Sequence, residues 1–173
     1  MVIGCCGAGK STFSKKLHSI LGIELIHLDQ YYWKPNWVES DSEEWKHKVQ
    51  ELAAKPEWII DGNYGGTMNF RMDRADTIIF LDYSTISCLW RITKRINKYK
   101  GRTRPDMPEG CHERFDLEFY HYVATYNLLR RKKHYRQLEQ HKVNKQTFVL
   151  RNDKECENFL KKLEKKFSLS QNL

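Results

Sequence analysis

At 173 residues, 40% hydrophobic and 30% charged, the chain has the length and composition of one folded domain with a sizeable core. No apolar run approaches the roughly 20 residues of a membrane span, and Met1-Val2-Ile3-Gly4 puts no basic stretch ahead of a hydrophobic one, so no membrane segment or secretory leader is expected. Five scattered cysteines without C-x-x-C spacing argue against a disulfide framework or structural zinc and for a reducing cytoplasm, while a net charge of +8 asks for a polyanionic partner without choosing one.

Met1 to Ile3 reads as a first strand. It is short beside the usual five or six residues or so, which points to a start upstream or a truncated strand. Gly4-Cys5-Cys6-Gly7-Ala8-Gly9-Lys10-Ser11 comes next and fits G-x-x-x-x-G-K-[ST], the phosphate-binding loop. Glycines let the backbone curl until successive N–H groups face a triphosphate. Lys10 adds a charge for the outer phosphates, and the Ser11 hydroxyl is a ligand for Mg²⁺. Nucleotide contacts are therefore expected along Gly4, Cys5, Cys6, Gly7, Ala8, Gly9, Lys10, Ser11 and Thr12. Phe13, Leu17, Ile20 and Leu21 recur at helical spacing until Gly22 stops the helix, whose positive N-terminal end faces the same phosphates. Ile23 to Leu28 is a buried strand ending at Asp29. Strand, loop, helix and strand form a βαβ unit, hence a parallel sheet with a right-handed crossover.

Gln30 to Trp37 is aromatic, with Tyr31, Tyr32, Trp33 and Trp37 around Pro35. Ser40 to Glu44 supplies caps and acids for a helix with Trp45, Val49 and Leu52 on its apolar stripe. Trp58 to Ile60 is the next strand, closed by the turn Asp61-Gly62-Asn63-Tyr64-Gly65-Gly66, and a short helix spans Thr67 to Arg74. Thr77 to Leu81 is an apolar strand ending at Asp82. Ser84 caps a basic helix over Ile86 to Tyr99. Lys100 to Glu113, with two glycines and two prolines, is a loop or lid. Phe115 to about Gln140 reads as one helix carrying the basic run Arg130 to Lys133. Gln146 to Leu150 is the fifth strand and Cys156 to Phe167 a final amphipathic helix, after which the end frays.

Three strands end in a carboxylate: Asp29, Asp61 and Asp82. Ligands of open parallel sheets bind at these strand ends, so the carboxylates can meet phosphates held by the loop. A lone aspartate there commonly begins a turn; three together point to function. Asp29 is the candidate acceptor contact, and Asp82 joins Ser11 as a candidate metal ligand. Phosphoryl transfer between two anions also needs cations over both. Arg71 comes after the glycine turn, Arg91 and Arg95 lie one helical turn apart, and Arg102 and Arg104 sit in the lid, placed to close over a triphosphate. Tyr32 and Trp33 are placed to stack on a base or sugar, or to pack a small subdomain.

Taken together, His27-Leu28-Asp29, Trp33-Lys34-Pro35-Asn36-Trp37, Trp58-Ile59-Ile60-Asp61-Gly62-Asn63-Tyr64, Gly101-Arg102-Thr103-Arg104-Pro105-Asp106-Met107 and Glu113 to Glu118 resemble the bacterial DNA topology modulation proteins, P-loop proteins related to adenylate kinase and other nucleoside and nucleotide kinases. The likeness runs from the first loop to the fifth strand. It implies a three-layer α/β P-loop NTPase fold with a five-stranded parallel sheet of order 2-3-1-4-5 flanked by helices. It further implies a single domain over residues 1–173, with an acceptor-binding insertion at about 30–57 and a lid at about 98–115. By the same resemblance Asp29, Tyr32, Trp33, Asp61, Asn63, Tyr64 and Arg71 belong to the acceptor side, and Arg91, Arg102 and Arg104 to the ATP phosphates. The turn Asp61-Gly62-Asn63-Tyr64-Gly65 departs from the Asp-Gly-aromatic-Pro-Arg of adenylate kinases, so the acceptor is not held as AMP is there.

The expectation is a cytoplasmic, ATP- and Mg²⁺-dependent kinase acting on a small nucleoside, nucleotide or related metabolite, with Lys10, Asp29, Arg91, Arg102 and Arg104 as catalytic residues. Two rivals are a DNA-binding modulator that uses the loop as an ATP switch, supported by the +8 charge and the basic run Arg130 to Lys133 through which nonspecific DNA binding is expected, and an ATPase without an acceptor.

Overall fold

The computed structural model describes residues 1–170. Along the chain run β1 (Val2–Gly4), α1 (Lys10–Leu21), β2 (Leu25–His27), the single turn α2 (Asp29–Tyr32), β3 (Trp33–Lys34), β4 (Val38–Glu39), α3 (Ser42–Ala53) and β5 (Ile59–Asp61). Then come α4 (Met68–Arg74), β6 (Thr77–Leu81), α5 (Thr85–Tyr99), α6 (Leu117–Leu129), α7 (Arg131–His141), β7 (Gln146–Leu150) and α8 (Asp153–Ser170). Five strands pair in parallel in the order β2-β5-β1-β6-β7, while β3 and β4 form a separate antiparallel hairpin. Numbered only among themselves, the five run 2-3-1-4-5, the expected order. The short β1 is central: Val2 pairs with Asp61 on one side and Ile79 on the other, and Gly4 with Leu81.

Strand periodicity builds the layers. Ile78 and Phe80 face Met68, Met72 and Leu138, whereas Ile79 and Leu81 face Phe13, Leu17, Ile92 and Leu160. A third cluster, Ile26, Leu28, Ile60, Trp45, Val49 and Leu52, seats α3 beside β2 and β5. Because every strand points the same way, the carboxyl ends of β1, β2, β5 and β6 meet along one edge, and the site is there.

The long helix expected over 115–140 is two helices, broken at Arg130, whose φ of −116° departs from the usual helical value of about −63°. Neither glycine nor proline marks the break. The aromatic stretch forms α2 and the hairpin, whose tip holds Asn36 and Trp37 at φ of 64° and 62°. Helix α8 starts earlier than its apolar stripe, because Asn152 accepts a bond from Glu155 N at 3.0 Å and caps it. The frayed end expected after Phe167 falls partly on residues 171–173, outside the described residues. Among the described residues no helix is long and apolar enough to cross a membrane, and all five cysteines are free thiols.

Candidate functional site

A cleft of about 660 Å³ opens over the glycine-rich loop, lined among others by Cys6 to Thr12, Asp29, Asp61, Arg91, Arg95, Arg104, Asp106 and Asp153. Helix α1 enters it uncapped: Gly9 at its N-cap is left-handed, no side chain accepts from the first turn, and that turn holds no acid. By contrast Asp41, Ser84 and Asp116 cap α3, α5 and α6 with side-chain oxygens. The orphan amides of α1 and its positive pole are thus left to an anion.

Two glycines are dictated by close approach. A Cβ on Gly4 would lie 2.5 Å from Leu81 O, and one on Gly7, at φ +82°, would lie 2.4 Å from Cys88 O. The loop therefore rests on β6 and on the first turn of α5. From the opposite side Asn63 clamps it, accepting from Gly4 N at 3.1 Å and donating to Gly4 O at 2.8 Å. Lys10 Nζ arches back to Gly4 O at 2.9 Å and Cys5 O at 3.2 Å. Burial works against its charge, but Cys6, Asp29 and Asp61 outweigh burial and raise its pKa.

Three carboxylates face Lys10 and Ser11. The first, Asp29, accepts a 2.5 Å bond from Tyr64 Oη. Burial, then the Asp29 charge, push the phenol far up, so it stays the donor. Asp61 accepts from His27 Nδ1 at 2.9 Å through its Oδ2. The third is Asp106, from the lid. Burial would raise its pKa, but Arg104, the Ser11 hydroxyl bonded to it and His27 hold it below the usual carboxylate range. Sequence reasoning missed Asp106, although Arg104-Pro105-Asp106 was in view, because its approach to Ser11 depends on how the lid folds back.

Cations border the other flank. Arg91 donates to Asp153 at 2.7 and 2.8 Å and to Ala8 O at 3.3 Å, and its guanidinium lies 4.5 Å over the Tyr83 ring. Arg95 and Arg104 form ion pairs with the same buried Glu113, and Arg104 also holds Asp106 at 2.9 Å. Burial, then the neighbouring Arg104 charge, lower the Arg95 pKa. The lid is pinned to the aromatic hairpin through Asn36 N to Gly110 O at 3.2 Å and Trp37 Nε1 to His112 O at 2.9 Å. Gln30 Nε2 donates to Pro105 O at 3.2 Å.

Several sequence-assigned residues lie elsewhere. Arg71 does not reach the cleft: it is 0% exposed, and its guanidinium donates to the carbonyls of Gly62, Asn63 and Tyr64. With no acid beside it, burial lowers its pKa to about 9. Asp82 is outside the cleft lining, with its carboxylate held by Arg131 Nε and Nη2 at 2.8 and 2.6 Å and by Tyr135 Oη at 2.7 Å. Arg102 is exposed and outside the cleft lining. The Tyr32 ring packs on Trp33, Trp45 and Tyr64, and Trp33 on Trp37, so these aromatics build the small subdomain instead of lining the cleft. Asn63 serves the loop, not an acceptor.

The His27–Asp61 pair gives a pH signature. Burial alone would lower the His27 pKa, but the Asp61 hydrogen bond and charge, with Asp106 adding, raise it above 6.5. A raised histidine contributes stability that is full below the unfolded value and lost as pH rises through the folded one. Thermal midpoints of wild type minus His27→Gln should therefore shrink from pH 6 to pH 8 or so. His134, lowered by burial, acts with the opposite sign but is common to both proteins and cancels in the difference. A difference flat in pH would show that folding leaves the His27 pKa unshifted.

No protein-family model matches the chain, and no curated protein matches it in sequence. Solved structures do match in fold. The shikimate kinase of Acinetobacter baumannii, in complex with shikimate, is 14% identical with a TM-score of 0.57, covering 99% of this chain and 93% of its own. The shikimate kinase of Bacteroides thetaiotaomicron is 16% identical with a TM-score of 0.50, covering 96% of each chain. The deoxyadenosine kinase of M. mycoides with bound dCTP is 20% identical with a TM-score of 0.43, covering 95% of this chain and 100% of its own. At these identities the likeness is one of fold: this chain has the three-layer α/β architecture seen in the shikimate kinase structures, a five-stranded parallel sheet between helices with the glycine-rich loop after its central strand.

Proposed function

We propose that the protein is an ATP- and Mg²⁺-dependent phosphotransferase acting on a small nucleoside, nucleotide or related metabolite. One observation carries this reading: a single cleft gathers an uncapped glycine loop with its lysine, two strand-end carboxylates, and a lid that adds Arg104 and Asp106 to its lining. A bare ATPase has no use for the acceptor-facing carboxylates or for a lid tied to a hairpin across the cleft. The fold shared with the shikimate kinases supports the same reaction class.

In this reading the α1 amides and Lys10 bind the phosphates, and Asp29, oriented by Tyr64, accepts the proton of the acceptor hydroxyl. Arg91, Arg95 and Arg104 stabilise charge on the transferring group once they exchange their present carboxylate partners for it. Among the described residues no cluster of three or more His, Cys, Asp or Glu is arranged to hold a metal ion. Mg²⁺ would therefore come with the triphosphate, held by Ser11 and the acidic groups beside it, and would neutralise phosphate charge there. Asp82, with its oxygens taken, does not fit that donor set.

The DNA-modulator reading draws on the basic run at 130–133. Arg131 in that run is paired with Asp82, which leaves one fewer free charge than the sequence suggests. The deciding measurement is ATP consumption against a panel of nucleosides, nucleotides and small alcohols. Acceptor-dependent ADP formation is expected. ADP formation indifferent to every acceptor, together with DNA binding that survives about 150 mM salt, would sink the kinase assignment.

A further inference from the structure

The cleft is electrically divided, and the division bears on the acceptor. Helix α1 is the divide. Lys16 on one flank lies close enough to α8 to lower the Asp153 pKa, and Lys15 on the other is felt at His27. The Lys16 flank continues into Arg91, Lys94, Arg95 and Lys98 of α5, all lining the cleft. A triphosphate belongs there. The Lys15 flank holds Asp29 and Asp61 beside Lys10, with Asp106 of the lid.

The cations of this second flank are already engaged: Lys10 is turned to the Gly4 and Cys5 carbonyls and His27 is paired with Asp61. Arg71 is sealed behind the 62–64 carbonyls, Arg104 is bound to Asp106 and Glu113, and Lys15 is an exposed side chain at the rim. Asp29 uses Oδ1 for Tyr64 and Asp61 uses Oδ2 for His27, so each retains a second oxygen with no hydrogen-bond donor among the described residues. Two carboxylate oxygens in want of donors call for hydroxyl groups, whereas a carboxylate or phosphate on the acceptor would meet like charge there, because the buried cations nearby are already engaged, Lys10 with the Gly4 and Cys5 carbonyls and Arg104 with Asp106 and Glu113.

Resting on the phosphotransferase reading, we infer that the acceptor is an uncharged polyhydroxylated alcohol, of the nucleoside or sugar class, and that acidic acceptors are excluded by Asp29 and Asp61. One acceptor hydroxyl oxygen bonds to the γ-phosphorus as the bond from that phosphorus to the β–γ bridging oxygen breaks. ADP leaves with the electron pair, and the hydroxyl proton passes to Asp29 and on to water. A neighbouring hydroxyl donates to Asp61.

The test compares pairs that differ in charge: adenosine with AMP, and the methyl ester of shikimic acid with shikimate. The neutral member of a working pair is expected to exceed the acidic one on the order of a hundredfold in kcat/KM. Asp61→Asn should narrow that ratio by about tenfold. Equal or faster turnover of the acidic member overturns the inference and leaves the kinase standing. If no acceptor is turned over, calorimetric binding to the ADP-loaded protein separates the two: tighter binding of AMP than adenosine overturns the charge argument, and binding of neither overturns the kinase reading itself.

Discussion

Lys10→Ala should lower acceptor-dependent ADP formation by about a thousandfold, the scale of removing a preorganised charge from a phosphoryl-transfer site, while changing stability by less than about 1 kcal/mol. The two effects separate because Lys10 bonds only the Gly4 and Cys5 carbonyls, at 2.9 and 3.2 Å, at the open floor of the cleft. Its surroundings, with Asp29 and Asp61 nearby, keep it charged despite burial. Steady-state kinetics with a thermal melt of the same preparation checks both halves. Wild-type turnover in a folded variant would remove the loop from the mechanism.

Arg71→Met carries the largest expected cost in stability, about 3 kcal/mol. Three backbone carbonyls, those of Gly62, Asn63 and Tyr64, would lose their donor inside the protein, at about 1–3 kcal/mol each for a stranded buried group. Offsetting part of this, the wild type buries a guanidinium with no acidic partner, a burden visible in its pKa of about 9. Methionine removes that burden while filling much of the volume. A urea midpoint measured beside Arg71→Lys, which keeps the charge but loses the fork of donors, resolves the terms. Arg71→Met within about 1 kcal/mol of wild type would mean the turn holds itself.

The strands, the loop and the main helices were legible because each rests on a local pattern: period two in Thr77 to Leu81, glycine at 22, the loop motif itself; the strand order came with the family resemblance. The misplacements share a cause. Asp29, Asp61 and Asp82 are indistinguishable along the chain, each an acid after an apolar strand. What separates Asp82 is Arg131 and Tyr135, brought over it by α7 some fifty residues later. Arg71 was readable in part. Met68 and Met72 mark the buried face of α4, and a residue three after Met68 falls on that face. The lid resisted because its chemistry lies in pairings, Arg104 with Glu113 and Asp106 with Ser11, that no spacing rule encodes.

Asn63 grips both backbone groups of Gly4 and sits in the same turn that presents Tyr64 to Asp29. On the proposed function, holding the donor and choosing the acceptor fall to one turn. On that reading, a chain drifting toward a new acceptor through residues 62–64 would disturb its own grip on ATP, and changes of specificity would be channelled away from this turn. The hairpin tip at Asn36 and Trp37 and the lid residues it touches are free of that constraint, and it is there that related chains with other acceptors should differ first.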